Sequence, residues 1–372
     1  MQRLDALLQH ATRDGTTPGA VICVSHRGQL VWHRAYGMAA ITPIRRPMQR
    51  ETLFDLASLT KVIATTSLLL WAQQDGLCEL DDRLQQFYPH LPPTGIGTVT
   101  LQQLLTHTGG FSAWRPFYRD LLPVPPPTGD AASAAQRRWQ ITCAILQQPL
   151  EYVPGAQVIY SDLGFILLGT LLEQLYGQSL STLFLHKVAQ PLSLSHIAYR
   201  PLGLDSPLPH TATAYAATEA CSWRGRVLVG EVHDENAAAM GGIAGHAGLF
   251  ATAQEVWRFA QALLDTAAGK RQWLQPARLK ASWQRQAVPS GNTRALGWDT
   301  PTPGTSTAGD YFSPRTIGHL GFTGTSMWID PEQNIIIILC TNRIHPTRQA
   351  TGIRRLRPAV HNLVMRALGI AR

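Results

Sequence analysis

Lysine is scarce in this 372-residue chain. Only four of its 32 basic residues are lysine (Lys61, Lys187, Lys270 and Lys280), which leaves 28 arginines. Cysteine is scarce as well. The five present (Cys23, Cys78, Cys143, Cys221 and Cys340) are odd in number, scattered and without a CxxC pair. That argues against a disulfide framework and for a reducing compartment. No apolar run approaches the ~18 residues of a membrane span. The opening "MQRLDALLQHATRDG" places Leu4, Leu7, Leu8 and Ala11 on one helix face and lacks the apolar core of a signal peptide. A cytoplasmic setting is expected. The net charge of +8 is spread over single arginines, with no run longer than pairs such as Arg45-Arg46 and Arg354-Arg355. Nucleic-acid readers concentrate charge on one face, so that class is disfavoured. The G-x-S-x-G of α/β-hydrolases and the H-E-x-x-H of zinc peptidases are both missing.

What is there suits a large core. Hydrophobic residues make up 45% and charged residues 15%, too apolar for disorder. The length corresponds to roughly two to three domain-sized units. "GAVICVS" and "QLVWHRAYG" flank an "HRG" turn and predict an early hairpin. A helix follows Ser58 and stops near Gly76. Helical periodicity and Pro-rich loops, including the cluster at 123–127, fill about 77–225. Strand-like segments return at "GLFAT", then a helix at "AQEVWRFAQALLDTA", then "TIGHLGFTGTSMWID" and "NIIIILCTN" as an antiparallel hairpin, and a last helix from about Arg354. The expected fold class is α/β of the α+β type, an antiparallel sheet flanked by helices with a helical insert. Residues 1–65 with 226–372 would form the mixed domain and 66–225 the mainly helical one, with the active site between them.

Within "FDLASLTKVIATTSLLLWAQQ" one lysine stands in an almost wholly apolar run. On a helix, i and i+3 lie about 5–6 Å apart on one face, which puts Lys61 over Ser58. Burial and a helix N-terminus both disfavour the ammonium, so a lowered pKa is expected. A neutral amine beside a hydroxyl can take its proton and make serine a nucleophile. Arginine stays protonated and cannot. The alternative is a chance S-x-x-K, with Lys61 snorkelling and Ser58 capping the helix.

Two further elements bear on that choice. "YSDLG" begins at Tyr160 before an apolar helix, and "HLG" spans His319–Gly321 beside the C-terminal hairpin. With S-x-x-K, their order and placement resemble the serine β-lactamase and penicillin-binding superfamily. The tyrosine of the second element is the form seen in class C β-lactamases, DD-peptidases and family VIII carboxylesterases. "FDLASLTKV", "LLTHTGG", "PGAQVIYSDLGF" and "GHLGFTGTSMWIDPE" carry the resemblance over about residues 15–345. It implies Ser58 as nucleophile, Lys61 and Tyr160 sharing the general-base work, and the N–H groups of Ser58 and Phe322 as oxyanion hole. It implies no cofactor.

Departures from the family pattern concern the substrate. Asp162 stands where Asn is usual and cannot, when ionised, donate to a substrate carbonyl. It is expected to pair with Lys61 and leave Tyr160 more of the base role, or to cap the following helix. His319 and Leu320 replace the Lys and Thr that help hold a substrate carboxylate. A neutral ester with a short or medium acyl group is therefore the favoured substrate. D-Ala carboxypeptidase, amidase or weak β-lactamase activity on an amide or lactam is the alternative, and a non-catalytic penicillin-fold binding protein the third. His319 has a second reading as a core histidine, and Tyr160 as a packing residue. Trp114, Phe117 and Tyr118 read equally as acyl-pocket walls or loop anchors. His233, Asp234, Glu235 and His246 in "GEVHDENAAAMGGIAGHAGLF" tempt a metal reading, but the glycines imply a tight turn rather than a ligand helix, and no metal is expected. The oligomeric state is left open.

Overall fold

The computed structural model describes residues 1–120, 131–203, 207–209, 211–302, 304 and 306–371. The proline cluster at 123–127 lies outside the described residues. In chain order the strands are β1 Gly19–His26, β2 Gln29–Ala40, β3 Arg46–Pro47, β4 Phe54–Asp55, β5 Ile197–Tyr199, β6 Ala217–Cys221, β7 Arg226–Val229, β8 Leu249–Ala251, β9 Ile317–Leu320, β10 Ser326–Asp330 and β11 Ile335–Thr341. Six of them form one antiparallel sheet in the order β3-β2-β1-β11-β10-β9. The early hairpin turns through Arg27 and Gly28, both at positive φ, the geometry of the tight two-residue turns that match strand twist.

Period-two alternation explains why both sheet faces are covered. On β11, Ile335, Ile337 and Leu339 point into one core and Ile336, Ile338 and Cys340 into the other. The first face carries the helices Gln2–Arg13 and Ile353–Ala367, which also pack on each other. The second carries the helix Ala253–Ala267. The expected mixed antiparallel architecture holds.

The helix Asp162–Tyr176 is the axis of the helical part and is buried along its first ten residues after Asp162. It packs against Ala131–Leu146, Leu101–Leu105 and Ser67–Gln74. Residues 66–225 are not uniformly helical, however. β5 joins β8 and β4 in a three-stranded sheet, and β6 pairs with β7 across position 225. Three to five apolar residues are too few for a period to distinguish strand from helix.

The segment after Ser58 is a helix of two kinds. Lys61–Thr66 is wound as a π-helix and Ser67–Gln74 as an α-helix, stopping at Gly76 with φ +73°. π-turns cluster at functional sites. Sequence periodicity does not reveal one, since a single wide turn barely shifts the apolar stripe. The glycine stretch 241–248 packs against this helix. Thr65 Oγ1 donates to Gly245 O at 2.6 Å, and a Cβ on Gly245 would stand 2.0 Å from Phe165 O. Gly245→Ala must therefore push the glycine stretch off the axial helix. We expect a loss of about 1–3 kcal/mol in denaturant unfolding, the usual overpacking cost, together with reduced hydrolytic activity. Unchanged stability would show that the close approach is dispensable.

Candidate active site

Asp55, at the end of β4, is buried and sets the turn that carries Ser58. Its Oδ1 accepts the Ala57 N–H at 2.8 Å and its Oδ2 the His233 N–H at 2.6 Å. Ala57 sits at φ +47°, a left-handed conformation that costs a residue with a Cβ. The Asp55 carboxylate holds it there. Ser58 follows, half-buried and lining the cleft.

Lys61 is 0% exposed. Its three N–H groups have three acceptors: Ser58 Oγ at 2.9 Å, Asp162 Oδ1 at 2.7 Å and His246 O at 3.4 Å. The Tyr160 ring centroid lies 4.9 Å from Nζ. Burial, the largest single influence, pushes the ammonium down. The Asp162 carboxylate and the Tyr160 phenol, by charge and by hydrogen bond, outweigh it, and the net direction is up. This corrects the expectation of a lowered lysine pKa. The sequence reading counted burial and the helix end, but folding also delivers a carboxylate from 101 positions away.

Asp162 is the first residue of its helix, and the cap is Ser161, whose Oγ accepts the Leu163 N–H at 3.2 Å. The capping alternative for Asp162 therefore falls, and the Lys61 contact remains. Deeper along the same wall, His246 Nε2 lies 2.8 Å from Asp234 Oδ1, which also accepts the Ala237 N–H at 2.7 Å. Burial pushes the Asp234 carboxyl up, but His246 and that N–H bring it well below the usual carboxylate range. Ligand-type atoms of Asp162, Asp234 and His246 come within 4.8 Å of one another. Each carboxylate already has a partner, Lys61 for Asp162 and His246 for Asp234. We read the group as a charge network rather than a metal centre.

His319, on the edge strand β9, is buried at the cleft wall, its ring centroid 5.9 Å from that of Tyr160. Its Nδ1 is 2.8 Å from Leu320 O, so that nitrogen carries the hydrogen. Burial, then Lys61 and Arg294, hold its pKa well below the ordinary histidine value. The imidazole is neutral, packed in the core and lining the site at once. His107, from "LLTHTGG", flanks the other side of Tyr160 at 4.5 Å and accepts the Ser161 N–H through Nδ1. Burial and the charges of Arg294 and Lys61 keep it neutral too.

Gly321 is needed for a close approach: a Cβ there would meet Leu56 O at 2.6 Å. Phe322 follows, 48% exposed, its ring stacked on His233 at 5.6 Å with Arg343 Cζ 4.6 Å away. Among the described residues, the N–H groups of Ser58 and Phe322 donate to no protein acceptor. Trp114 lines the cleft at 41% exposure, whereas Phe117 and Tyr118 are buried anchors, Tyr118 against Trp223 at 4.6 Å.

The cleft has a volume of about 700 Å³. Four acids, Asp162, Asp234, Glu235 and Asp299, and five arginines, Arg294, Arg343, Arg348, Arg354 and Arg357, line it. Sequence reasoning missed all five arginines. Arg348 is tied to Glu219 and, at 2.6 Å, to Glu235, and Arg294 lies 3.6 Å from Asp299. In a chain with 28 arginines no local signal separates these from the solvated ones.

With this geometry in hand, comparison with known proteins is decisive for kinship. The family described as Beta-lactamase matches residues 4–361. The chain belongs to the beta-lactamase family. It is a serine hydrolase of that family. A putative D-alanyl-D-alanine carboxypeptidase of Escherichia coli (strain K12) is 32% identical over 356 residues, covering 88% of this chain and 79% of that protein. An N-acetylmuramyl-L-alanine amidase of Bacillus subtilis (strain 168) is 30% identical over 373 residues, covering 93% and 81%. Among solved structures, EstCE1, a hydrolase with promiscuous acyltransferase activity, superposes with a TM-score of 0.72 at 22% identity, covering 96% of this chain and 98% of its own. That last likeness speaks for the fold alone.

A fluorophosphonate probe is expected to add mass to the peptide containing Ser58. Lys61→Arg should be nearly inactive although it keeps the charge, because guanidinium neither gives up nor relays a proton near neutral pH and loss of a positioned base costs about 10²–10⁴-fold. Near-wild-type turnover by folded Lys61→Arg would rule out that role. Asp162→Asn tests the charge network. Removing a carboxylate that raises Lys61 lets burial pull the ammonium down, so Lys61 loses its proton at lower pH. The acid limb of kcat/KM should move down; a limb that stays or moves up would separate Asp162 from Lys61.

Proposed function

We propose that the chain hydrolyses its substrate through an acyl-enzyme on Ser58, and that the group it cleaves off carries a carboxylate. The class is that of peptides and amides; the two relatives' names specify D-alanyl-D-alanine for one and N-acetylmuramyl-L-alanine for the other. The observation that carries the reading is the arginine wall. Arg343 and Arg354 face the cleft, and among the described residues neither has a carboxylate partner. They offer the cationic recognition that His319 and Leu320 lack. A planar guanidinium fork suits a carboxylate better than an ammonium does.

In this reading Ser58 Oγ attacks the acyl carbon and its proton passes to the Lys61–Tyr160 pair. Asp162 favours the charged form of Lys61, which leaves Tyr160 more of the shared base role in this reading. Lys61 then donates to Ser58 Oγ and steadies the developing charge. The N–H groups of Ser58 and Phe322 receive the carbonyl oxygen as it becomes an oxyanion. Donors so placed contribute about 3–4 kcal/mol each. The proton goes on to the leaving nitrogen as the C–N bond breaks, and water attacking by the reverse path releases the acid. All five cysteines are free thiols, and among the described residues no helix is long and apolar enough to cross a membrane. The thiols support the cytoplasmic setting expected from the sequence.

The neutral ester is the second reading, favoured by His319 and Leu320 themselves. One comparison separates the two: a peptide ending in D-Ala-D-Ala, the same peptide as its C-terminal amide, and p-nitrophenyl butyrate. The acid is expected to exceed its amide by at least about tenfold in kcat/KM, the worth of one charge-assisted contact, and Arg354→Ala should erase that margin. Equal rates for acid and amide, with the ester turned over much faster than both, would return the chain to the esterase reading.

A further inference from the structure

Arg357, on the helix Ile353–Ala367, is 7% exposed and has no carboxylate within ion-pair distance among the described residues. Burial, with Arg343 adding to it, pushes its pKa down to about 9, so it remains a cation at neutral pH. A buried cation without a counter-ion is costly. What it has instead are two carbonyls. Nη2 donates to Gly321 O at 2.8 Å and to Thr325 O at 2.7 Å.

Gly321 O belongs to the same peptide unit as the Phe322 N–H. In a trans peptide the carbonyl and the N–H point in opposite directions. A guanidinium holding the Gly321 carbonyl from the helix side therefore turns the Phe322 N–H the other way. That N–H has no protein acceptor among the described residues. Positive charge at the carbonyl oxygen also polarises the unit and makes its N–H a stronger donor, an effect enlarged in low dielectric. Neighbouring contacts fix the turn from the other side. Gly321 N donates to Thr325 O at 2.7 Å, Thr323 Oγ1 to Asp55 O at 2.7 Å and Thr325 Oγ1 to Leu56 O at 3.1 Å. Asp55 and Leu56 are the residues that lead into the Ser58 turn.

We propose that Arg357 is a positioning residue of the oxyanion hole, aiming and polarising the Gly321–Phe322 peptide toward the acyl group on Ser58. The proposal rests on the reading of Ser58 as nucleophile and of the Phe322 N–H as oxyanion donor. It predicts an effect on the transition state and little on substrate affinity, and it holds for substrates with no carboxylate at all.

The test uses the full chain with Arg357→Met and Arg357→Lys, p-nitrophenyl butyrate as a neutral substrate, a fluorophosphonate label, and an alkyl boronic acid whose serine adduct is tetrahedral. Removing one oxyanion donor costs about 10²–10³-fold in kcat, and misaiming one should cost folded Arg357→Met about 10²-fold with KM changed less than about threefold. Boronate affinity should fall in step with kcat. Arg357→Lys keeps a charge and donors at that place and should recover to within about tenfold of wild type. Circular dichroism and Tm establish the folded fraction, and Arg357→Gln, which removes the charge but keeps a polar side chain, carries the test with the same expected loss where Arg357→Met does not fold. Unchanged kcat and boronate affinity in the folded uncharged variant would overturn the role, as would a loss confined to KM for carboxylate-bearing substrates. Wild-type label on a residue other than Ser58 would instead overturn the assignment of the nucleophile.

Discussion

A single buried ammonium organises this molecule. Lys61 has no contact with solvent, and a charge taken out of water must find partners in the fold or lose its proton. Its partners come from three places in the chain: Ser58 one turn earlier, Asp162 at the head of the axial helix, and the backbone of His246 in the glycine stretch. Satisfying Lys61 therefore requires the Ser58 turn, the helical part and the glycine stretch to meet at one point. The π-turn at Lys61–Thr66 and the close packing of Gly245 on Phe165 are the local accommodations of that meeting. Asp162 is well suited to this place. An asparagine could accept from Lys61 but would leave the buried cation without a counter-charge.

The three motifs that meet in the cleft were legible because each is local. S-x-x-K spans one helical turn, "YSDLG" a helix start, and "HLG" the end of a strand. Each carries its chemistry in a few adjacent residues. The sheet was legible for the same reason, since β1 and β11 are nearly continuous apolar runs of eight and seven residues beside turn signals. What was hidden depends on separation along the chain. The protonation of Lys61 is decided by Asp162, and the Ala57 conformation by Asp55 together with a turn that also engages His233. His107 fixes the Ser161 N–H from the far side of Tyr160. None of these can be read from a window of neighbouring residues.

The arginines show a different obstacle. Lys61 stood out because lysine is rare here, whereas Arg343, Arg354 and Arg357 are hidden among many of their own kind. Their meaning comes from which carbonyls and which cleft they face, and that is set by the last helix lying on the β11 face of the sheet and reaching the turn between β9 and β10. The same residue type thus serves two purposes within one turn of helix. Arg354 presents its charge outward to the cleft, and Arg357 turns inward to backbone oxygens.

The central sheet has a consequence for how the chain comes to be folded. β1 pairs on one side with β2, its immediate neighbour, and on the other with β11, near the far end of the chain. During synthesis the hairpin can form early, but one edge of β1 stays unsatisfied until β11, Ile335–Thr341, has been made. An open, apolar strand edge is an invitation to aggregate, and so long a wait makes closure the slow step. Under the proposed roles, Ser58 is made early and the Phe322 N–H late, so a truncated or stalled chain would hold Ser58 with only one of the two proposed oxyanion donors. In that reading catalytic competence arrives together with closure of the sheet.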